Sequence, residues 1–81
     1  MSKKILCAIN PYSGKGSSKS MLAALQAALP SYQWIVVESE GPSYFSQHIG
    51  SFIKPDIDAI AVFGGDGTMH DVVNGYINRI I

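Results

Sequence analysis

Three short apolar runs, each followed by a helix-like pattern, restrict the fold of this chain more than any other feature. The runs lie at 5–9, 34–37 and 59–63. A continuous apolar run bounded by polar or turn-forming residues is typical of a strand that is buried on both faces of a parallel sheet. Because parallel strands need a helical crossover between them, the sequence predicts the order βαβαβα.

The stretches that follow the runs repeat apolar residues every three or four positions, as amphipathic helices do. The first helix is predicted at 18–29, where Pro30 stops it. The second is predicted to start near Gly41, with Pro42 at an early helical position. The third has the most regular spacing and reaches the last residue. We expect three apolar stripes to be buried: Met21, Leu22, Leu25, Ala28 and Leu29; Phe45, Ile49, Phe52 and Ile53; and Met69, Val72, Val73, Tyr76, Ile77 and Ile80.

These elements predict an α/β fold, an open three-layer Rossmann-like parallel sheet with helices on both faces. With 81 residues, 47% of them hydrophobic, the chain has the size of a single domain. Three strands make a narrow sheet, and one of its edges is expected to stay open. We therefore expect residues 1–81 to be the N-terminal part of a longer protein.

The charges balance overall but are unevenly distributed along the chain. The formal net charge is +0, yet four of the six basic residues lie in the first nineteen positions and all six acidic residues lie from Glu38 onward. This distribution favours an anionic ligand near the N-terminal loop. Nucleic acid is not expected as a partner, because domains that bind it carry a clear basic excess.

Cysteine content and hydropathy bear on location. Cys7 is the only cysteine, so the chain has no internal disulfide, which is typical of a reducing compartment. No segment approaches the ~20 apolar residues of a membrane span. The expected location is therefore the cytoplasm.

Two glycine-rich segments, 10–18 and 64–68, each follow a predicted strand. Ligands of open parallel sheets bind at the carboxyl ends of the strands, so both segments are expected at the same edge. Glycine permits positive φ and the close approach of a ligand, and the N–H groups of a helix N-terminus suit a phosphate. The second segment also carries a carboxylate, Asp66, so the pair predicts phosphoryl transfer.

Neither segment matches the common phosphate motifs. In the first, Lys19 stands where a Walker A loop needs its second glycine and where the dinucleotide fingerprint needs its third. In the second, His70 replaces the last glycine of that fingerprint. Glu38, at the end of the second strand, suits a ribose hydroxyl, so a Rossmann NAD-binding domain stays as a lesser alternative.

The two segments together resemble the catalytic domain of diacylglycerol and sphingosine kinases. The matching motifs are Asn10-Pro11-Tyr12-Ser13-Gly14-Lys15-Gly16 and, about fifty residues later, Gly64-Gly65-Asp66-Gly67-Thr68, followed by Met69-His70-Asp71-Val72-Val73-Asn74-Gly75. NAD kinases and 6-phosphofructokinases share the fold and the aspartate loop more loosely. Complete kinases of the family have two lobes with the nucleotide between them. The resemblance therefore implies a nucleotide-binding N-terminal lobe whose β-rich C-terminal lobe is missing.

The resemblance also implies the cofactors and the site. ATP and Mg²⁺ are expected to lie against Asn10, Pro11, Tyr12, Ser13, Gly14, Lys15, Ser39, Gly64, Gly65, Asp66, Gly67, Thr68, Met69, His70 and Asp71. Asp66 is the expected catalytic residue, either as the base for the acceptor hydroxyl or as a partner of a Mg²⁺-bound water. No residue is expected to bind the metal directly. Ser39 stands for a threonine of the family and Asp71 for a glutamate.

The implied function is an ATP-dependent lipid kinase. It would transfer the γ-phosphoryl group of ATP to a hydroxyl of diacylglycerol or a sphingoid base, with peripheral contact to a membrane surface. The 81-residue lobe alone is expected to be inactive. Two alternatives stay open: an NAD kinase-like enzyme whose acceptor is a ribose hydroxyl, and a non-catalytic nucleotide-binding fragment.

Some of these residues also have purely structural interpretations. Thr68 and Asp71 match a capping box, in which case Asp71 starts its own helix instead of touching a nucleotide. His70 is expected to be an exposed helix residue. A glycine inside a helix costs about 1 kcal/mol relative to alanine, so Gly75 is expected to permit close packing against the sheet.

Overall fold

The computed structural model of the chain describes residues 3–12 and 17–80. Its elements are β1 (Lys4–Ile9), α1 (Ser17–Ala28), β2 (Gln33–Glu38), α2 (Tyr44–His48), a 3₁₀ turn (Ile49–Phe52), β3 (Ala59–Phe63) and α3 (Asp66–Ile80). The predicted order βαβαβα is confirmed, and each strand begins and ends within one residue of its apolar run.

The central strand of the sheet is β1, which pairs in parallel with both other strands in the order β2-β1-β3. In this register Cys7 lies between Val36 and Ala61. Every residue from Ile5 to Ile9 is buried, because β1 has a strand on each side and helices on both faces. The prediction of a strand buried on both faces is therefore confirmed.

Alternate side chains of β1 enter two separate cores. The α2/α3 core consists of Leu6, Ala8, Val37, Phe45, Ile49 and Val72. The α1 core, on the other face of the sheet, consists of Cys7, Ile9, Leu22 and Phe63. Helices thus cover both faces, and the predicted open three-layer α/β fold is confirmed.

The second helix is shorter than its sequence pattern predicts. After five residues α2 gives way to the 3₁₀ turn. Pro42 lies before the helix and not in its first turn, so that prediction is wrong. The reason is the left-handed backbone of Ser43 (φ 61°, ψ 15°), which makes Tyr44 the first helical residue. Gly50 then weakens any continuation as α-helix, because glycine is a poor helix residue.

Two of the predicted apolar stripes include residues that are exposed to solvent. In α1, Leu22 is buried, whereas Met21 and Leu25 are 57% and 38% exposed. In α3, Val72 is buried, but the exposed residues of its stripe are Met69, Val73, Tyr76 and Ile77. Full burial was the wrong expectation for α3 because this helix packs against an edge strand, β3, and part of its stripe extends past that edge. The side chain of Ile80 lies outside the described part of the chain.

The glycine inside α3 packs against α2 and not against the sheet. A Cβ atom at Gly75 would overlap the Ile49 side chain and the carbonyl oxygen of Phe45. The helix therefore tolerates a glycine here because α2 and α3 approach each other closely. The expectation of close packing is confirmed, but the sheet as its partner is wrong.

The amino end of the sheet is held by a polar clamp. The Lys4 ammonium pairs with the Asp56 carboxylate, and the Lys4 N–H donates to Asp58 Oδ2 at 2.8 Å. The hydrogen bond from Lys4 lowers the pKa of Asp56 below its ordinary value. This clamp joins the start of β1 to the loop before β3.

Cys7 lies in the middle of β1 and is fully buried with a free thiol. Burial raises the pKa of this thiol to about 11. The thiol is therefore protonated at neutral pH and acts as a small apolar core residue.

Candidate functional site

The strand order determines where this sheet can bind a ligand. The connection through α1 leads from β1 to one side, and the connection through α2 leads back across β1 to the other side. The chain segments that leave the carboxyl ends of β1 and β3 therefore separate. Ligands of open α/β sheets bind at such a point. The start of the first glycine-rich segment, Asn10 to Tyr12, and the second segment lie there, as the sequence predicts.

Asn10 joins the two segments. Its backbone N–H donates to the Phe63 carbonyl at 2.8 Å, and its side-chain Nδ2 donates to Thr68 Oγ1 at 3.2 Å. Its Oδ1 accepts the Tyr12 N–H at 3.0 Å, which closes a turn of the kind that asparagine favours. One side chain thus fixes the first segment against the start of α3.

Thr68 lies inside α3 and does not start it. The helix begins at Asp66, and the Met69 N–H already bonds to the Gly65 carbonyl at 3.1 Å. The capping box predicted at Thr68 and Asp71 is therefore wrong. The Thr68 side chain is buried and accepts the hydrogen bond from Asn10.

The glycines of the second segment provide space and not unusual backbone angles. Among the described residues, positive φ occurs only at Gly41 and Ser43. A Cβ atom at Gly64 would overlap the Thr68 side chain, so Gly64 lets the loop close over that residue. At Gly67 a Cβ atom would meet nothing within 4 Å, so the backbone there faces open space. The residues of this loop have no positive φ, whereas room for a ligand is present.

Asp66 is the first residue of α3, and it is exposed. The first N–H groups of a helix have no partner within it, and the helix dipole adds partial positive charge at the same place. A carboxylate in this position lies beside a surface that suits phosphate oxygens. Its neighbours Gly65 and Gly67 both line an open cleft beside the start of α3.

An open cleft of about 640 Å³, here called the edge cleft, lies between segment 39–43 and the first turns of α3. Its lining residues are Asn10, Tyr12, Ser39, Gly41, Pro42, Ser43, Phe45, Gly65, Gly67, Thr68, His70, Asp71 and Asn74. The lining combines backbone, hydroxyl, amide, imidazole and carboxylate groups with apolar surface from residues such as Pro42 and Phe45. The cleft therefore offers polar groups beside apolar surface, with glycine backbone on one wall.

Ser39 forms the base of the wall opposite the glycine loop. Its N–H donates to the Ile9 carbonyl at 2.9 Å, which continues the β1–β2 pairing. Its hydroxyl donates to the Gly41 carbonyl at 3.0 Å and accepts the Gly41 N–H at 3.3 Å. The serine thus shapes a turn at the cleft, and it lines the cleft as the resemblance implies.

Asp71 does not cap its own helix, which is one of the two roles that the sequence suggests for it. Its carboxylate accepts the Phe45 N–H at 2.8 Å and the Ser46 N–H at 3.0 Å. It therefore caps α2, the neighbouring helix, and not its own helix. The residue still lies on the wall of the edge cleft.

The structure brings most of the predicted site residues together. Those that line the edge cleft are Asn10, Tyr12, Ser39, Gly65, Gly67, Thr68, His70 and Asp71. Pro11, Gly64 and Asp66 adjoin them in the chain. Ser13, Gly14 and Lys15 lie outside the described residues. Met69 does not line the edge cleft but faces a second groove of about 500 Å³ between β3 and α3.

Sequence reasoning missed Asn74 and the turn at Gly41 to Ser43 as lining residues. Asn74 lies four residues after His70 and three after Asp71, so all three share one face of α3. That spacing was a usable signal. The contribution of Ser43 depends on its left-handed backbone, for which the sequence has no comparable signal.

Glu38, which suits the ribose hydroxyl of a dinucleotide in the lesser alternative, forms an ion pair. Its carboxylate pairs with the Lys19 ammonium at 3.3 Å.

Within residues 3–12 and 17–80, no three histidine, cysteine, aspartate or glutamate side chains cluster as a metal site. No helix in these residues is long and apolar enough to cross a membrane.

Residues 4–80 match the family described as the diacylglycerol kinase catalytic domain. The chain belongs to this family. Its relatives include sphingosine kinase 1 of Rattus norvegicus and of Mus musculus, each 30% identical over 84 residues and matched along 94% of this chain. A crystal structure of a diacylglycerol kinase from Bacillus anthracis str. Sterne superposes with a TM-score of 0.69, at 30% identity and over 90% of this chain.

The chain is much shorter than these proteins. It spans 21% of the length of either sphingosine kinase and 27% of the diacylglycerol kinase structure. The shared part is the three-stranded α/β unit that carries the edge cleft.

Proposed function

We propose that this chain is the nucleotide-binding part of a lipid kinase. The complete enzyme would transfer the γ-phosphoryl group of ATP to a hydroxyl of diacylglycerol or of a sphingoid base. Support comes from the family match and from relatives named for these two activities, both of which align with nearly the whole chain. The missing lobe would supply the opposite wall of the site and the acceptor pocket.

The observation that carries this proposal is the hydrogen bond from Asn10 to Thr68. It joins the first residue of one family motif to Thr68 of the other, at the edge where an open sheet binds its ligand. Asp66 stands two residues before Thr68, beside the positive end of α3. Phosphoryl transfer depends mainly on positioning and on neutralising charge, and this surface supplies N–H groups for both.

The carboxylates of the site fit Mg²⁺ bound together with nucleotide phosphates. Magnesium favours one or two carboxylates, phosphate oxygens and retained waters over a cage made only of protein ligands. Asp71 already accepts two backbone N–H groups, so Asp66 would hold the ion, directly or through a water. The ion would neutralise charge on the transferring phosphoryl group. Asp66 would then either take the proton of the acceptor hydroxyl or hold a metal-bound water.

Substitution of Asp66 tests the proposal directly. In the complete kinase, Asp66→Asn should reduce phosphoryl transfer by about 100-fold or more, because it removes the carboxylate but preserves the shape of the side chain. The measurement is transfer of labelled phosphate from ATP to diacylglycerol, sphingosine and NAD. Asp56→Asn is the matched control, since it makes the same change in the clamp at the opposite end of the sheet.

The outcomes separate the candidate functions. Near-normal transfer by Asp66→Asn would contradict the role given to this residue. Labelled NAD without labelled lipid would favour the NAD kinase-like alternative. Calorimetric titration of the 81-residue chain with ATP and with NADH tests the nucleotide site by itself, and tighter binding of NADH than of ATP would contradict an ATP site.

A further inference from the structure

We propose that Asp71 is a positioning residue that sets the width of the edge cleft. Its carboxylate would hold segment 39–43 at the distance from the glycine loop that a nucleotide requires. The inference rests on the proposed function, because it assigns ATP to this cleft. It differs from the direct nucleotide contact that the family resemblance implies for this position.

Each oxygen of the Asp71 carboxylate already accepts a backbone N–H. Asp71 Oδ2 accepts the N–H of Phe45 at 2.8 Å, and Oδ1 accepts that of Ser46 at 3.0 Å. These two residues form the first turn of α2, whose N–H groups have no partner within the helix. Bonds from N–H groups to a charged acceptor are about twice as strong as neutral ones. Asp71 therefore attaches the start of α2 to α3.

The segment that lines the cleft depends on this attachment. Two of its residues have positive φ, Gly41 at 153° and Ser43 at 61°, and serine rarely adopts such a backbone. The near end of segment 39–43 is held by the bond from the Ser39 N–H to the Ile9 carbonyl, and the rest of the segment by short-range bonds, among them the Tyr44 N–H to the Gly41 carbonyl at 3.3 Å. Its far end continues directly into the turn that Asp71 holds. Without that anchor, the backbone of Ser43 would relax toward a more common conformation, and the width of the edge cleft would change.

Gly75 permits the close contact between α2 and α3 on which this attachment depends. Asp71 and Gly75 are four residues apart, so they lie on the same face of α3. Both meet the backbone of Phe45, because its N–H donates to Asp71 and its carbonyl oxygen packs against the Cα of Gly75. The close approach of the two helices at Gly75 brings the short aspartate within reach of the α2 amides. The cleft wall is thus placed by α3, the helix that also begins with the glycine loop.

The test compares Asp71→Asn and Asp71→Ala in the 81-residue chain. The first readout is hydrogen exchange of the Phe45 and Ser46 amides, measured by NMR, and the second is the dissociation constant for ATP. Asparagine keeps one acceptor oxygen and alanine keeps none. Exchange should therefore accelerate on the order of tenfold in Asp71→Asn and more in Asp71→Ala, with ATP affinity falling in the same order. Asp56→Asn, the control for general destabilisation, should preserve the ATP affinity.

Each result decides part of the inference. Unchanged exchange at Phe45 and Ser46 would overturn the attachment itself. Faster exchange with unchanged ATP affinity would overturn the positioning role. Failure of the unsubstituted chain to bind ATP would contradict the proposed function and the positioning of ATP with it. The exchange rates would still establish or overturn the attachment of α2 to α3.

Discussion

The two faces of the sheet differ in how tightly their helices pack against it. On one face, the α2/α3 core contains Phe45 and Ile49, which are 1% and 0% exposed, and the helices approach too closely for a side chain at Gly75. On the other face, α1 contributes one buried leucine, while Met21 and Leu25 are 57% and 38% exposed. The tightly fitted face is the one that builds the wall of the edge cleft. Precise packing thus coincides with the part of the molecule that lines the proposed nucleotide site.

The largest expected difference between the faces comes from truncating one anchor on each. Phe45→Ala should lower the free energy of unfolding by about 4 kcal/mol, because it empties a fully enclosed position. Leu22→Ala should cost about 2 kcal/mol, since a loosely covered helix can settle into the space. Urea denaturation of both variants measures the two losses. Equal losses, or a larger loss for Leu22→Ala, would contradict the comparison.

A smaller effect is expected where α2 meets α3. Gly75→Ala should lower the free energy of unfolding by about 2 kcal/mol, because the new methyl group overlaps Ile49 and the Phe45 carbonyl. That loss remains after the gain of about 1 kcal/mol in helix propensity. Gly67→Ala is the matched control, because its methyl group meets nothing within 4 Å. Thermal unfolding should therefore show opposite signs for the two substitutions, and stabilisation by Gly75→Ala would contradict the tight fit.

The smallest effect is expected from the clamp at the amino end, which belongs to neither helix layer. Lys4 lowers the pKa of Asp56 from its ordinary value of 3.8, so the charged pair stabilises the fold above that pH. The contribution is lost as pH falls through the lowered pKa. Asp56→Asn should thus be less stable than the unsubstituted chain at neutral pH and equal to it in strong acid. Urea midpoints across this pH range measure the difference, and a gap that widens in acid would contradict the assignment.

The parts of the fold that the sequence predicts are those that depend on local pattern. The run from Ile5 to Ile9 is predicted as a strand because all of its residues are apolar and favour burial, whichever residues they contact. The shared edge of the two glycine-rich segments follows in turn, since parallel strands direct both carboxyl ends the same way. These two inferences predict that Asn10 and Thr68 lie near each other, and the hydrogen bond between them confirms it.

The parts that the sequence does not predict depend on partners far along the chain. Asp71 matches a local capping pattern, but its hydrogen-bond partners lie 25 and 26 residues earlier. Ser43 ends the turn before α2 in a backbone conformation that serine seldom adopts. The α3 stripe has the period of a buried helix, yet the edge of the sheet leaves Val73 and Tyr76 exposed. Periodicity shows that a helix has an apolar side, but not whether this chain covers it.

The enclosed thiol of Cys7 has a practical consequence for measuring motion. Only the thiolate reacts with alkylating reagents, and burial suppresses both its formation and its access. Labelling must then wait for a moment when the α1 side of the sheet opens. The chain has no other sulfhydryl group, so the rate at which label accumulates counts those openings without any engineered probe. The labelling rate of Cys7 therefore measures how often the loosely covered face opens.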